Sequence, residues 1–267
     1  MTVEMDFNPT FSGSFHEHEW IMESMGGFHR DHLITDVLYR VKGGKEATVY
    51  CCKAHPSTGR GLIAAKVYRP RMFRAMRNDA IYREGRETLG ADGKAILDRR
   101  SLLAIRKKTR YGRRLTAASW LQHEYDTMSA FHAAGADVVE PIAIGNNAVL
   151  MEYVGDEGFG APVLHSVRLA PDESQGLFDR LMKNVELFLS CELIHADLSA
   201  HNVLYWRGDF RIIDFPQAVD AFNNPNAFML LSRDIERLCQ YFERYGIRAN
   251  AAEIAAGLWT RFLHREL

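Results

Sequence analysis

Alternation of apolar and polar residues marks the first half of the chain as rich in β-strands. The segments ITDVLYRVKGGKEATVYCCKA, from Ile34, and GLIAAKVY, from Gly61, carry many β-branched and aromatic residues, and PSTGRG between them is typical of a turn. This pattern predicts a β-meander with a glycine-bearing bend. The later segment PIAIGNNAVLMEYVG predicts two further strands joined at 145–147.

Helical spacing dominates the remainder of the chain. A helix is predicted from 119 to 134, where Ser119 can cap the start and Gly135 stops it. Its apolar residues recur at the period of a helix: Trp120, Leu121, Tyr125, Met128 and Phe131. Three further helices are predicted at 172–191, 227–244 and 250–265. We therefore expect an α+β protein with a small N-terminal β-sheet lobe, which includes one main helix, and a mainly helical C-terminal lobe.

Composition suits a globular protein. The 267 residues are 47% hydrophobic and 25% charged, which is enough to bury a sizeable core in one large domain or two lobes. The four cysteines form no metal-binding or disulfide pattern, so we expect reduced thiols. The N-terminal segment has no secretory leader pattern, and no run of about eighteen apolar residues occurs. We expect a cytoplasmic protein with no membrane partner.

Two segments depart from the regular pattern. Residues 1–32 are polar and rich in His, and we expect an N-terminal extension with one short helix, whose HEH cluster at 16–18 fits a solvated tail better than a metal site. Residues 66–114 contain sixteen Lys and Arg but only five Asp and Glu, in a chain with a net charge of -1. Because residues 71–115 lack sustained apolar periodicity, they predict a long mobile insertion or a loosely helical arm.

The first half of the chain offers residues suited to binding a nucleotide. The segment KGGKEATV at 42–49 partly matches the glycine-rich loop pattern of kinases, with Lys42 and Ala47 where glycines are usual. Alone, this segment would more often be an ordinary hairpin. A turn with glycines lets backbone amides approach phosphate oxygens. Lys66 lies in an otherwise apolar strand and needs a charge partner, which Glu124 on the predicted helix can supply.

The segment HADLSAHNVLY at 195–205 carries the most specific pattern. The spacing from Asp197 to Asn202 matches the catalytic loop of kinases, and Asp214 with Phe215 follows twelve residues after the Asn, as the metal-binding motif would. Asp197 suits orientation of the attacking oxygen, whereas Asn202 and Asp214 suit Mg²⁺. A short hairpin is predicted to hold these groups, with apolar residues at Val203, Leu204, Ile212 and Ile213. His195 is predicted to have a structural role.

Taken together, these motifs resemble the RIO family of atypical serine/threonine protein kinases over about residues 34–245. The matching segments are GKEATVY, AAKVY, EYD around Glu124, LMEYVGDEGFGAP, LIHADLS with NVLY, IIDFPQAV and RDI. The resemblance implies a bilobal protein-kinase-like domain at 33–267, with an N-lobe at about 33–151 and a C-lobe at about 155–267. It also implies that the basic segment corresponds to a flexible loop of the family.

The resemblance further implies a nucleotide site for ATP with Mg²⁺ or Mn²⁺. Its catalytic residues would be Asp197, Lys66 and Asp214, and its metal ligands Asn202 and Asp214. Its cofactor-binding residues would be Gly43, Gly44, Lys45, Glu46, Ala47, Val49, Lys66, Glu124 and, at the adenine, Met151, Glu152, Tyr153 and Val154. Relatives also suggest an ATPase switch phosphorylated on the aspartate equivalent to Asp214, and a role in maturation of the small ribosomal subunit.

Two departures from ordinary protein kinases affect the expected substrate. Ser199 stands where those kinases have a lysine, and 53 residues follow Asp214, so we expect a domain truncated relative to them, without the usual peptide platform. Gly43 stands where RIO members often have Ser or Thr. The extension is too irregular for a winged helix, which favours the subfamily that lacks one.

Several functions remain open from the sequence. The phosphoryl acceptor could be a protein serine, the protein itself or water. A small-molecule kinase of the aminoglycoside or choline type shares the loop spacing, although GKEA and GDEGFGAP argue against it. A protein of another class, an ATP-gated module on RNA or a ribosomal particle, could use the basic segment 66–114 to contact phosphates.

Overall fold

The computed structural model describes residues 7–44, 46–69, 96–107 and 109–267. The helices within these ranges are α1 (Phe15–Arg30), α2 (Arg99–Arg106), α3 (Arg110–Ala133), α4 (Pro171–Ser190), α5 (Ala227–Glu243) and α6 (Ala251–Leu263). The strands are β1 (Ile34–Gly43), β2 (Ala47–Ala54), β3 (Leu62–Tyr68), β4 (Pro141–Ile144), β5 (Ala148–Glu152), β6 (Gly155–Asp156), β7 (Phe159–Gly160), β8 (Leu193–Ile194), β9 (Val203–Trp206), β10 (Asp209–Ile212) and β11 (Val219–Asp220). The predicted sheet lobe followed by a mainly helical lobe is confirmed.

The N-terminal lobe is built on a five-stranded antiparallel sheet in the order β1-β2-β3-β5-β4. Successive residues of a strand point to opposite faces, so β3 buries Ile63, Ala65 and Val67 on one face and carries Ala64 and Lys66 on the other. The first face forms one hydrophobic core with α1. The second face looks toward α3 and the helical lobe, and this is where Lys66 lies.

Helix α1 corrects the expectation for residues 1–32. Ser14 accepts a hydrogen bond from the backbone N–H of Glu17 and caps a helix of sixteen residues. Ile21, Met25 and Phe28 recur at helical spacing and are buried in the same core as the outer face of the sheet. The expected helix is present but is longer than predicted, and it belongs to the N-terminal core, while His16 of the HEH cluster is solvent-exposed. Residues before and after position 32 contribute to the same hydrophobic core, so the predicted boundary at this position does not separate two cores.

Helix α3 begins nine residues before the predicted start. Thr109 caps it by accepting the N–H of Gly112, whereas Ser119, the predicted cap, is buried inside the helix. A Cβ on Gly112 would lie 2.1 Å from the backbone oxygen of Ala104, so this glycine allows α2 and α3 to pack closely. The predicted insertion thus contains helix at Arg99–Arg106 and again from Arg110, while its residues at 71–95 and 108 lie outside the described residues.

The helical lobe follows the sequence pattern closely. Helices α4, α5 and α6 lie within two residues of their predicted bounds. The predicted hairpin is β9 with β10, in which Val203 pairs with Ile212. Phe131 of α3 stacks on Phe188 of α4 with ring centroids 4.0 Å apart, so one core continues from α3 into this lobe. No helix of the described residues is long and apolar enough to cross a membrane.

Candidate active site

Lys66 is the centre of a buried charge cluster between the two lobes. Its side chain is 12% exposed, and Nζ lies 2.5 Å from Oε1 of Glu124 on α3 and 2.6 Å from Oδ1 of Asp214. The register of the sheet places Lys66 between Val49 and Val149 on the inner face. A buried ammonium group needs such partners, because unpaired charge in a low-dielectric interior is costly. The structure therefore brings together three residues that are 58 to 148 positions apart.

The cluster determines the charges at the cleft. Burial alone would lower the pKa of Lys66, but the attraction of Asp214 and Glu124 outweighs it and raises this pKa above its ordinary value. Burial opposes ionisation of Asp214, yet Lys66 holds the pKa of Asp214 below its usual range. For Glu124, burial prevails and raises the pKa despite Lys66. At neutral pH, Lys66 is cationic and Asp214 is anionic.

Asp214 and Phe215 connect the metal-binding motif to α3. Asp214 has φ of +76°, a left-handed conformation that Asp tolerates better than most residues. The next residue, Phe215, is buried and packs edge-on against Phe131 of α3 with ring centroids 5.6 Å apart. Its other neighbour is His195, at 5.1 Å. Because Phe215 packs on Phe131, a shift of α3 would displace Phe215 and the adjacent Asp214.

The loop from His195 to Asn202 positions Asp197. Asn202 Nδ2 donates to the backbone oxygen of Asp197 at 3.0 Å and to its Oδ2 at 3.3 Å. Arg237 of α5 donates from Nη1 to Oδ1 of Asp197 at 2.8 Å. Sequence reasoning missed Arg237. Because Ser199 takes the place of a lysine in this loop, Arg237 is the cation that the fold brings to the carboxylate.

His195 has the structural role expected from the sequence. Its ring is buried and bonded on both nitrogens, with Nε2 donating to the backbone oxygen of Ile213 at 3.2 Å and Nδ1 accepting the N–H of Asp197 at 3.3 Å. Burial lowers its pKa, which favours the neutral ring that these two bonds require. His195 therefore links the backbone of Asp197 to that of Ile213, the residue before Asp214.

Asp234 lies beneath this loop and makes a pH-dependent contribution to stability. It is 2% exposed, and burial raises its pKa to about 8. Because this value exceeds the unfolded one, the folded state binds the extra proton between the two values, and stability falls as pH rises through that window. We expect Asp234→Asn to gain about 3.5 kcal/mol relative to wild type from pH 5 to pH 8.

Urea unfolding of both proteins at pH 5 and pH 8 measures this difference. The exposed Glu243→Gln on the same helix is the control, and its difference from wild type should not depend on pH. A pH-independent difference for Asp234→Asn would mean that Asp234 is already ionised in the folded protein at pH 5.

The predicted nucleotide-binding residues fall into two groups. Gly43 and Gly44 form the turn between β1 and β2, where the Gly44 N–H donates to the backbone oxygen of Ala47 at 2.8 Å. Lys45 lies outside the described residues, Glu46 follows it, and Ala47 begins β2. In the second group, Val49 and Met151 face the cleft with Lys66. Sequence reasoning missed Ala64, which pairs with Met151. Because Ala64 is two residues before Lys66 in the same strand, it shares the face of Lys66 and could have been predicted to face the cleft.

The segment from Met151 to Val154 joins the lobes and is held by its own side chains. The Glu152 carboxylate accepts the N–H of Glu140 at 3.2 Å and lies 3.5 Å from the guanidinium of Arg211. The Tyr153 hydroxyl lies 2.9 Å from that of Tyr39 and donates to the backbone oxygen of Asp156 at 3.1 Å. The side chains of Glu152 and Tyr153 are both bonded to protein groups. An adenine in this position would therefore be contacted by backbone groups of the segment.

The donor set fits a magnesium ion that is shared with phosphates. Asn202 donates from its amide nitrogen and keeps Oδ1 as an acceptor, and the Asp214 side chain is 44% exposed with one oxygen on Lys66. Both offer hard oxygen ligands, as magnesium prefers. Within the described part of the chain, no group of three His, Cys, Asp or Glu side chains could hold a metal by itself. The remaining ligands would be water and phosphate oxygens.

Comparison with known proteins identifies the family. The RIO domain model matches residues 81–254, which is more than half of the chain and includes Glu124, Asp197, Asn202 and Asp214. The chain belongs to the RIO family. The resemblance inferred from the sequence motifs is therefore confirmed.

The relatives of this RIO protein are named as protein kinases. The serine/threonine-protein kinase RIO1 of Chaetomium thermophilum is 28% identical over 227 residues, covering 81% of this chain and 41% of the relative. The RIO-type serine/threonine-protein kinase Rio1 of Thermoplasma acidophilum is 30% identical over 147 residues, covering 55% of this chain and 76% of the relative. The chain thus spans less than half of the Chaetomium protein's length.

A solved structure confirms the bilobal kinase-like fold. The Rio2 kinase of Chaetomium thermophilum, in an ADP/Mg²⁺-phosphoaspartate complex, matches with a TM-score of 0.60 at 19% sequence identity. The match covers 92% of this chain and 70% of the Rio2 chain. At this level of identity the likeness concerns the fold, and the chemistry has to be argued from the residues described above.

Proposed function

We propose that this RIO protein transfers the γ-phosphoryl group of ATP. The observation that carries the proposal is the ion pair of Lys66 with Glu124 and Asp214, at 2.5 and 2.6 Å, on the inner face of the sheet. A cation fixed in this way can hold nucleotide phosphates, and phosphoryl transfer depends mainly on positioning and electrostatics. The kinase names of the relatives agree with this function.

Each residue of the site has a distinct task in the proposed reaction. Lys66, aimed by Glu124, binds phosphate oxygens of the nucleotide. Asp197 accepts a hydrogen bond from the attacking hydroxyl or water and orients its oxygen for in-line attack. Arg237, bonded to Asp197 at 2.8 Å, restrains that carboxylate and adds positive charge beside it. His195 and Asn202 hold the loop in register.

Asn202 and Asp214 are the proposed ligands of magnesium, or of manganese. When bound, the metal supplies positive charge that neutralises the phosphate oxygens. Asp214 also receives the ammonium group of Lys66, so one carboxylate serves both cations. The acceptor is a protein serine, the protein itself or water, and Asp214 is a further acceptor suggested by the family resemblance.

The test uses ATP labelled at the γ-phosphate, with Mg²⁺ and no added substrate. We expect free phosphate or labelled protein from the wild type, and an approximately hundredfold or larger loss in Asp214→Asn. Asn is chosen because it tolerates the left-handed backbone at this position. The exposed Asp126→Asn on α3 should behave as wild type. Nucleotide binding without release or labelling would overturn the proposal.

Binding of RNA or of a ribosomal particle through segment 66–114 is a second proposal. In the described part of that segment, exposed basic residues lie on or beside α2 and the first turns of α3: Arg99, Arg100, Arg106, Lys107, Arg110, Arg113 and Arg114. Raising salt from 50 to 200 mM should weaken such binding about a hundredfold or more, because counterions are released on contact with phosphates. Gel-shift titrations of the full chain and of a variant lacking 71–115 test this, and salt-insensitive binding would contradict it.

A further inference from the structure

A second cleft opens on the side of Asp197 that faces α5. Its volume is about 510 Å³, within the range of clefts that bind ligands. Ten residues line it: His165, Asp197, Ser199, Ala200, His201, Asn202, Arg237, Gln240, Tyr241 and Arg244. A group attacking the γ-phosphate would approach through this cleft in the proposed reaction, because Asp197 lines it. Its residues Gln240, Tyr241 and Arg244 have no part in the nucleotide binding described above.

The cleft carries positive charge. Arg237 and Arg244 contribute two guanidinium groups, and Asp197 is the only carboxylate among the described residues that line it. The rings of His165 and His201, which also line the cleft, stack at 4.0 Å. The two guanidinium groups therefore supply fixed positive charge along the cleft.

The two arginines have different partners. Arg237 is bonded to Asp197 at 2.8 Å, so its charge is largely matched by that carboxylate. Arg244 is exposed and lies with its guanidinium 4.4 Å from the ring centre of Tyr241. Tyr241 is itself fixed, because its hydroxyl donates to the backbone oxygen of Leu164 at 2.8 Å. Arg244 is therefore a positioned cation at the outer end of the cleft.

The spacing of the arginines defines a length. Arg237 and Arg244 are seven positions apart at the end of α5, which corresponds to about 10 Å along the axis at 1.5 Å per residue. A polypeptide in the polyproline II conformation covers about 9 Å in three residues and returns its side chains to the same face at every third residue. A chain whose hydroxyl lies at Asp197 would thus bring the side chain three residues away to Arg244.

We infer that this cleft binds an acidic polypeptide, with the acceptor serine at Asp197 and an Asp or Glu three residues away at Arg244. The inference rests on the proposed phosphoryl transfer and names its acceptor class. Arg244 determines specificity, and the stacked rings of His165 and His201 are part of the lining.

The test measures peptide binding without turnover. Fluorescent twelve-residue peptides carry one serine and an Asp three residues before or after it, in matched Asp and Asn forms, and their anisotropy is followed with full-length protein and a non-hydrolysable ATP analogue. We expect one Asp peptide to bind about tenfold more tightly than its Asn form. Arg244→Ala should abolish that preference, and Arg244→Glu should transfer it to a Lys peptide. The exposed Arg248→Ala should keep the wild-type preference.

Phosphorylation of the same peptides separates this inference from the proposed function. With wild type, the Asp peptide should be labelled with a KM about tenfold below that of its Asn form, and Arg244→Ala should raise that KM. If wild type releases phosphate but Asp and Asn peptides bind alike, the inference fails alone. If the Asp peptide binds through Arg244 but its serine is never labelled while phosphate is released, the cleft is not the acceptor site. Displacement of the peptide by polyuridine at lower concentration than by unlabelled peptide would assign the cleft to RNA instead.

Discussion

Replacing Asp197 with Asn is expected to lower the rate of phosphoryl transfer from ATP about a thousandfold while nucleotide affinity stays near that of the wild type. Asn has the same shape but cannot accept the proton of the attacking hydroxyl or water. The loop should keep its conformation, because Asn202 also donates to the backbone oxygen of Asp197, which the substitution retains. Asp197 contacts neither Lys66 nor Asp214 in the charge cluster, so the nucleotide phosphates keep their partners.

Single-turnover phosphate release measures the rate, and a fluorescent ATP analogue measures affinity. The exposed Asp179→Asn on α4 makes the same chemical change far from the loop and should leave both values unchanged. A rate above one tenth of wild type for Asp197→Asn would contradict a role of Asp197 in proton acceptance. A parallel loss of nucleotide affinity would instead indicate that the substitution had disturbed the site as a whole.

Removing the charge of Lys66 is expected to have the largest effect on stability. In Lys66→Met, Glu124, which is 3% exposed, loses its cation and is left in a low-dielectric interior. Breaking a buried pair from one side costs about 3–5 kcal/mol of unfolding free energy. Nucleotide affinity should fall with it, because the phosphates lose their fixed cation.

The double variant Lys66→Met with Glu124→Gln separates the two effects. Neutralising both members removes the uncompensated charge, so most of the stability should return while nucleotide binding stays low. Urea unfolding at pH 7 and nucleotide titration test these outcomes, with the exposed Lys53→Met on β2 as the control. If the single variant unfolds at the same urea concentration as the control, the loss of Lys66 does not leave Glu124 as a costly unpaired charge in the interior, and the prediction is wrong.

The need to compensate charge explains why the pairing of Lys66 with Glu124 could be predicted. Lys66 is a lone cation in an apolar strand, and an isolated buried charge demands a partner. Val49 came from the glycine-rich loop pattern and Met151 from the family resemblance, and the register of the sheet places both on the face of Lys66. Helices α4 to α6 were equally accessible, since each has a strong apolar stripe.

The first thirty residues show the opposite case. Ile21, Met25 and Phe28 have helical spacing, but polar residues and glycines around them weaken the pattern, and the helix is stable because it covers the sheet. The start of α3 was missed for a related reason. Its first turns are rich in arginine and lack an apolar stripe, so only the cap at Thr109 marked the beginning.

The sequence by itself determined the chemistry of this protein: the identities and spacings of Lys66, Glu124, Asp197, Asn202 and Asp214, and the order of strands and helices that carry them. Tertiary structure alone decided the left-handed backbone of Asp214, the pairing of Arg237 with Asp197 and the cationic cleft that ends at Arg244. The reason is physical. Local periodicity and motif spacing depend only on residues that are close in the sequence. The contacts of Arg237 and Arg244 instead depend on how α5 packs against the catalytic loop, which is distant from it in the sequence.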